Sequence, residues 1–477
     1  VKFRGGYNIS LKGRPSSDVK TLPEPEALYL PLRTARFNFS EVCVEDGRRV
    51  SLGEVLAKDP NNHSVPLLAP RAGLVRLKAV QNHIVLEDIA EAPRHLHAVE
   101  ETAPHIAQQM GSGGILRYKL LTLGAWQFFY DAHPALPKGG AHSGSLPDPF
   151  KIPQAIIVST INCEPFLARG DVQIRRDLQA FGRGLEGLQS LLEYEPIYLI
   201  VPDIASDFAR QLRENVRGYA WITMVEVPLM YPNDNFTILA RNLGLKSDNG
   251  PVWALRAEGV LAVDRALTES KPCTERIISI GGPAVKTTEH VETVCGYPLS
   301  QIIHSYVHGN DVRVINGGIF TGRAIGPDQP GLDSECTGLT ILPEATQREF
   351  LSFARAGWQK RSYSNSCYLS ALRGEFEEAL TTAVQGEIRA CVSCNYCEEV
   401  CPAGIMPHLI HKFLYKDDLD EAERARVDLC VGCGLCSFVC PSKIELAAQF
   451  ADAQDRIRRE PRPSEERGEH HSEGVAQ

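Results

Sequence analysis

Eight of the fourteen cysteines fall into two copies of one pattern near the C-terminus, and no other feature limits the fold as sharply. The first copy is Cys391-x-x-Cys394-x-x-Cys397-x-x-x-Cys401-Pro402, and the second is Cys430-x-x-Cys433-x-x-Cys436-x-x-x-Cys440-Pro441. Each cysteine of the first copy recurs 39 residues later, so the segment is a duplicated unit. Three thiolates at three-residue intervals on a tight loop reach three irons of one cubane. The fourth, beside a proline, is turned away and ligates the other cluster. The spacing therefore assigns Cys391, Cys394, Cys397 and Cys440 to one [4Fe–4S] cluster, and Cys430, Cys433, Cys436 and Cys401 to a second. Zinc is the alternative, since thiolates bind it too. A zinc site needs four ligands, usually from two separated pairs, and has no use for the third Cys-x-x-Cys step or the following proline.

The remaining cysteines (Cys43, Cys163, Cys273, Cys295, Cys336 and Cys367) show no paired spacing and read mainly as buried small apolar groups in a reducing compartment. A chain of 477 residues suggests about three domains, and 43% hydrophobic residues allow substantial cores. A net charge of −9 argues against nucleic acid as the partner. No apolar run approaches the roughly 18 to 20 residues that span a bilayer, and no signal peptide is evident.

Along the chain, the first hundred residues are short segments broken by Gly and Pro, with strands expected in Val65–Arg76 and His83–Glu87. Next, strand-like runs (Gln154–Ser159, Pro196–Val201, Trp221–Val227) alternate with helical stretches (Asp171–Glu193, Ile204–Val216). That alternation predicts a parallel sheet with ligands at the carboxyl ends of its strands. Arg276–Ile280 and Val312–Gly318 predict two further strands, the second running into a glycine turn. Glu344–Ala356 and Ser370–Val384 read as connecting helices, and Lys416–Arg426 as a helix acidic early and basic late, as the helix dipole favours. Beyond about Asp455 the composition predicts a disordered tail, in which His470 and His471 are ordinary tail residues rather than a metal site.

Several segments carry a family likeness. Gly5-Gly-Tyr-Asn-Ile-Ser-Leu-Lys-Gly13, Leu123-Gly-Ala-Trp-Gln-Phe-Phe129, Ala155-Ile-Ile-Val-Ser-Thr160, Thr274–Lys286 and Val314-Ile-Asn-Gly-Gly-Ile-Phe-Thr-Gly322 resemble the A-subunit of the Na⁺-translocating NADH:quinone reductase (Nqr). Twin clusters after such a body resemble the C-subunit of the Rnf electron transport complex, and both are related to the flavin subunit of respiratory complex I. The resemblance implies a multidomain α/β fold. Its parts would be a β-rich barrel-like module (1–100), a Rossmann-like parallel sheet (101–270), a soluble-ligand-binding β-grasp module (271–343), a helical connector (344–385), a helical two-cluster ferredoxin-type domain (386–455) and the tail (456–477). It also implies a peripheral location on the cytoplasmic face of the inner membrane. Membrane-embedded subunits would be its partners, NADH or ferredoxin its donor, and flavin or quinone its acceptor side.

The same resemblance implies FMN and NADH on the body. The nearest equivalent of the family's flavin-phosphate loop is Leu123–Phe128, which keeps one glycine and puts Trp126 where bare backbone is needed. Gly111-Ser-Gly-Gly114 is richer in glycine but reads as a plain loop. Asn162-Cys163-Glu164-Pro165-Phe166 and Asp171 resemble the stretch that lies over flavin and nicotinamide, so Glu164, Asn162 and Asp171 are the nucleotide candidates. A carboxylate such as Glu164 suits a ribose hydroxyl; a polar loop closing the first long strand is the simpler reading. Cys163 has no basic sequence neighbour to activate its thiol. Three expectations follow: an iron–sulfur subunit of an ion-translocating complex, a docking scaffold with a decayed flavin site, or a soluble iron–sulfur oxidoreductase subunit.

Overall fold

The computed structural model describes residues 3–90, 104–133, 145–345 and 388–459, apart from 112, 193–194, 205, 310 and 327, together with 377 and 380–382. The expected connector helices fall almost wholly outside the described residues, as do Cys367, His470 and His471.

A parallel sheet organises the middle of the chain. Its strands run in the order Ile222–Val227, Ile197–Pro202, Ala155–Ser159 and Val252–Arg256, with Tyr130–Asp131 antiparallel at the edge. All five residues of Ala155–Ser159 are buried, which is why the sequence there is apolar without alternation. The chain order reverses between Ala155–Ser159 and Val252–Arg256, and a crevice forms where such a reversal occurs, at the carboxyl ends of the two strands. The expected helix Asp171–Glu193 is two helices, Gly170–Arg176 and Leu178–Gln189. Asp177 breaks it by accepting a 2.7 Å hydrogen bond from Ala180 N as the cap of the second. Gly184 lets that helix lie against Ala257–Thr268, since a Cβ there would stand 2.2 Å from Val260 O.

Two antiparallel sheets precede this layer. One has the order Leu28–Pro31, His83–Ala90, Ala72–Arg76, Arg49–Val50, and the other Glu41–Val42, Val55–Asp59, Val65–Leu68. Their apolar faces join the helices of the parallel sheet in one core that includes Phe37, Leu56, Trp126, Phe181 and Trp253. A six-stranded mixed sheet follows, in the order Val19–Thr21, Glu289–Val294, Glu275–Gly281, Gly338–Pro343, Val312–Asn316, Arg323–Ala324. Its first strand comes from the N-terminal segment: Val19 pairs with His290 and Thr21 with Glu292. The first hundred residues therefore contribute to more than one sheet system.

The C-terminal region is helical. Tyr396–Glu399, Pro407–Tyr415, Leu419–Arg424, Leu435–Val439 and Leu446–Arg459 enclose a core centred on Ile410, Val427 and Phe450. The acidic-to-basic helix forms, shorter than expected, with Asp420 and Glu421 early and Arg424 late. The last helix continues to Arg459, past the point where the tail was expected to begin. The chain is thus a mixed α/β fold of several sheets followed by a helical region. Among the described residues no helix is long and apolar enough to cross a membrane.

Two thiol-lined cavities and the crevice beside them

The two cysteine runs adopt the same local structure. In each, the residue before the second cysteine is in the left-handed region (Ser393, φ 54°; Gly432, φ 65°), as is the residue after it (Asn395, φ 64°; Gly434, φ 76°). These turns wrap the backbone around a concavity and start a short helix that carries the third cysteine, Cys397 or Cys436. Two of these positions are glycine; the others are Asn, which tolerates this region best among the rest, and Ser.

Two separate cavities result, and each takes its thiols from both runs. Cys391, Cys394, Cys397 and Cys440 line one, with Ile444 and Leu446 among the apolar residues beside them. Cys430, Cys433, Cys436 and Cys401 line the other, backed by Ile405, Leu435 and Phe450. Burial pushes the thiols up, Cys397 and Cys430 to about 11 and Cys433 to about 12, so anything binding them as thiolates must displace protons. Backbone N–H groups of Ala403, Gly404 and Ile405 turned toward Cys401 oppose its rise, which burial still dominates. Among the described residues no group of three or more His, Cys, Asp or Glu is arranged to hold a single metal ion. Four thiols spread around an apolar cavity suit a group in which each sulfur meets its own iron. Thirteen cysteines among the described residues are free thiols. Of those outside the two runs, Cys295 and Cys336 are buried as expected, whereas Cys43 is exposed.

The second cavity lies against the body. Tyr231 Oη donates to Cys433 O at 2.7 Å, Arg241 Nη1 to Leu429 O at 3.0 Å, and Gly6 N to Val400 O at 2.9 Å. Gly5 is pressed to the backbone of Cys401, where a Cβ would lie 2.6 Å from the carbonyl carbon. Tyr231 stacks on Phe320 (4.8 Å, 15°), and Phe320 meets Phe438 edge-on at 5.3 Å. Ile9, Leu11, Phe166, Val400, Leu435 and Val439 complete this apolar joint.

The joint adjoins the crevice of the parallel sheet. Glu164, buried there, accepts hydrogen bonds from Phe320 N (2.8 Å), Thr321 N (2.9 Å) and Thr321 Oγ1 (2.5 Å). Gly318 permits this approach, since a Cβ would fall 2.2 Å from Glu164 Cδ. Burial raises the Glu164 carboxyl above the usual range, with the Thr321 and Phe320 donors opposing the rise. Arg256 Nη1 bonds Asp234 Oδ2 at 3.0 Å and Ile161 O at 3.2 Å. Cys163 lies beside this pair, and burial holds its thiol well above the ordinary value, so it is not an activated nucleophile. Asn162 Nδ2 donates to Ala168 O at 3.4 Å, while Asp171 pairs with Arg169 at the surface. Of the three nucleotide candidates, Glu164 is held by this chain's own Phe320–Thr321 segment and Asp171 by an ion pair with Arg169, while Asn162 keeps a buried Oδ1 with no hydrogen-bond partner among the described residues.

Trp126 packs inside the core, stacked on Phe129 (4.4 Å, 16°) and edge-on to Trp253 (5.0 Å), with its Nε1 donating to Pro147 O at 3.0 Å. Gly113 caps the helix Gly114–Thr122, and Gly114 fits closely against Ala107 O. Sequence reasoning missed Tyr231 and Arg241, which carry no local signature, and it quoted Phe320 only within the Val314–Gly322 likeness without a role; all three come from elements far in sequence from the runs they touch.

The family comparisons bear on both halves. A family described as the NQRA C-terminal domain matches residues 277–326, and one described as a 4Fe-4S dicluster domain matches residues 390–445. The A-subunit of the Na(+)-translocating NADH-quinone reductase of Pseudomonas aeruginosa strain PAO1 is 28% identical over 429 residues, 89% of this chain and 91% of its own. This chain is similar to that A-subunit over most of its length. The corresponding protein of Cellvibrio japonicus is 26% identical over 432 residues, with the same coverage. These relatives are subunits of an oxidoreductase complex, as expected from the sequence. A chain in a crystal structure of NAD+-reducing [NiFe]-hydrogenase in the H2-reduced state aligns over 74% of this chain and 62% of its own, at 11% identity and a TM-score of 0.39.

Proposed function

We propose that this chain is the peripheral iron–sulfur subunit of an ion-translocating NADH (or ferredoxin) oxidoreductase of the Nqr or Rnf type. One observation carries the reading: each apolar cavity is lined by three cysteines of one run and the last cysteine of the other. Cys391, Cys394, Cys397 and Cys440 would hold one [4Fe–4S] cluster, and Cys430, Cys433, Cys436 and Cys401 the other. Such clusters supply one-electron transfer, with potentials set by burial and by hydrogen bonds to sulfur. The chain's own groups hold the thiolates in place, exclude water with Ile405, Leu435 and Phe450, and fix the second quartet to the body through Tyr231 and Arg241. Partners in this reading are membrane-embedded subunits of the same complex at the cytoplasmic face, with quinone or flavin on the acceptor side. The body would comprise barrel-like, Rossmann-like and β-grasp modules over residues 1–100, 101–270 and 271–343. The similarity to the reductase A-subunit over 89% of the chain and the dicluster match support this assignment.

A second reading concerns the body. The engagement of Glu164 by Thr321 and Phe320, and the burial of Trp126 among Phe129 and Trp253, favour a body that positions the clusters without carrying FMN or NADH. Mass spectrometry and equilibrium dialysis of the anaerobically purified chain test this: no bound FMN and no NADH retention are expected. Stoichiometric FMN would overturn it and leave the cluster assignment standing.

A further inference from the structure

The body does more than seat the helical region, because it sends a cation to one quartet of thiols. Arg241 lies in the last turn of the helix Phe236–Asn242 and reaches across the joint to the carbonyl of Leu429, the residue before Cys430. The half-buried guanidinium is thereby fixed to the backbone of the run that lines the second cavity together with Cys401. Asp428 supplies opposing charge, but it is itself held by Arg426 through bonds of 3.0 to 3.3 Å at the surface. The other cavity has a different setting: no guanidinium is among the described residues that line it, and His408 there has its Nδ1 3.6 Å from Glu398 Oε2. Beside the first run, Lys412 is bonded to Ser393 Oγ in an exposed position, where water and salt screen it. A partly buried charge is screened far less.

We propose that Arg241 is a positioning residue for electron transfer, a fixed charge that makes the second quartet's cluster the easier of the two to reduce. The inference rests on the two-cluster reading of the cavities. Each added electron increases the negative charge of the group that those thiolates hold, and a guanidinium fixed beside Cys430 through the Leu429 carbonyl stabilises that form. An electron shared between the quartets then rests at the one against the body: one unit of charge leaves the first, one arrives at the second, and no proton is needed. The arrangement also gives the Arg241–Leu429 bond a role that an apolar contact could not fill.

The test is a potentiometric titration with EPR detection on the full chain, purified anaerobically with its clusters. A C394A background isolates the second quartet, and a C433A background isolates the first. In C394A, adding R241Q is expected to make the remaining potential more negative, while R241K keeps it near the parent value. In C433A, R241Q is expected to leave the remaining potential unchanged. An unchanged potential in C394A/R241Q with its iron and sulfide retained would overturn the proposal, and so would an equal shift in both backgrounds. If R241Q loses the second cluster, D428N decides: removal of the opposing charge must raise that potential, and no movement defeats the idea. A wild-type chain lacking two clusters would instead defeat the underlying reading, which iron and sulfide analysis reveals before any titration.

Discussion

At the scale of single residues, the grouping of the cysteines was legible in their spacing, and the two cavities gather three thiols of one run with the last of the other. Cys394→Ala is expected to halve the iron and sulfide content and to leave the far-ultraviolet circular dichroism of the sheets unchanged. Full iron retention would contradict the assignment of Cys394 to the first cavity. Glu164 was legible only in part. Its place beyond the end of the strand Ala155–Ser159 follows from the apolar run before it, but its partner Thr321 is 157 residues away, in the Val314–Gly322 segment, whose likeness says nothing of this contact. Asp333 was not legible as a titrating group. Buried beside Glu335, its carboxyl is pushed up to about 6 from the ordinary 3.8. The folded state therefore takes up a proton as pH falls through about 6, while the unfolded chain waits until about 4. This group costs stability at pH 7, and that cost is relieved on acidification. The stability of Asp333→Asn relative to the parent should accordingly fall by about 1 kcal/mol between pH 7 and pH 5, read from urea unfolding of both proteins. Parallel pH profiles would contradict it.

At the scale of elements, the strands of the parallel sheet were readable because burial on both faces demands continuous apolar runs, as in Ala155–Ser159 and Ile197–Pro202. Helix limits were less so. Asp177 is a good cap residue, yet the apolar period runs through it, and the close approach of Gly184 to Val260 O depends on a helix distant in sequence. Gly184→Ala should force the two helices apart and cost about 1–3 kcal/mol in urea unfolding. The duplicated turns allow a cleaner comparison. Gly432 has φ 65° and open space where a Cβ would stand, so Gly432→Ala should cost about 1 kcal/mol from backbone conformation alone. No measurable loss would show that the turn relaxes. The strand Val19–Thr21 escaped detection because three residues, two of them exposed, carry almost no pattern.

At the scale of the whole molecule, the joint between body and helical region is the feature sequence could not supply. It is assembled from Gly5, Gly6, Tyr231, Arg241 and Phe320, scattered over more than three hundred residues. Such a surface is specified only once the sheets are folded. Tyr231→Phe removes the bond to Cys433 O and keeps the stack on Phe320, so it should raise proteolytic release of the helical region without loss of secondary structure. The dicluster match, residues 390–445, lies on the side of this joint that holds the two cysteine runs.

The most direct test of the central claim is iron and acid-labile sulfide analysis of the anaerobically purified chain, with low-temperature EPR after reduction. The account predicts iron and sulfide in equal amounts, sufficient for two [4Fe–4S] clusters, with two magnetically interacting signals. One zinc per cysteine quartet, with no sulfide, would contradict it.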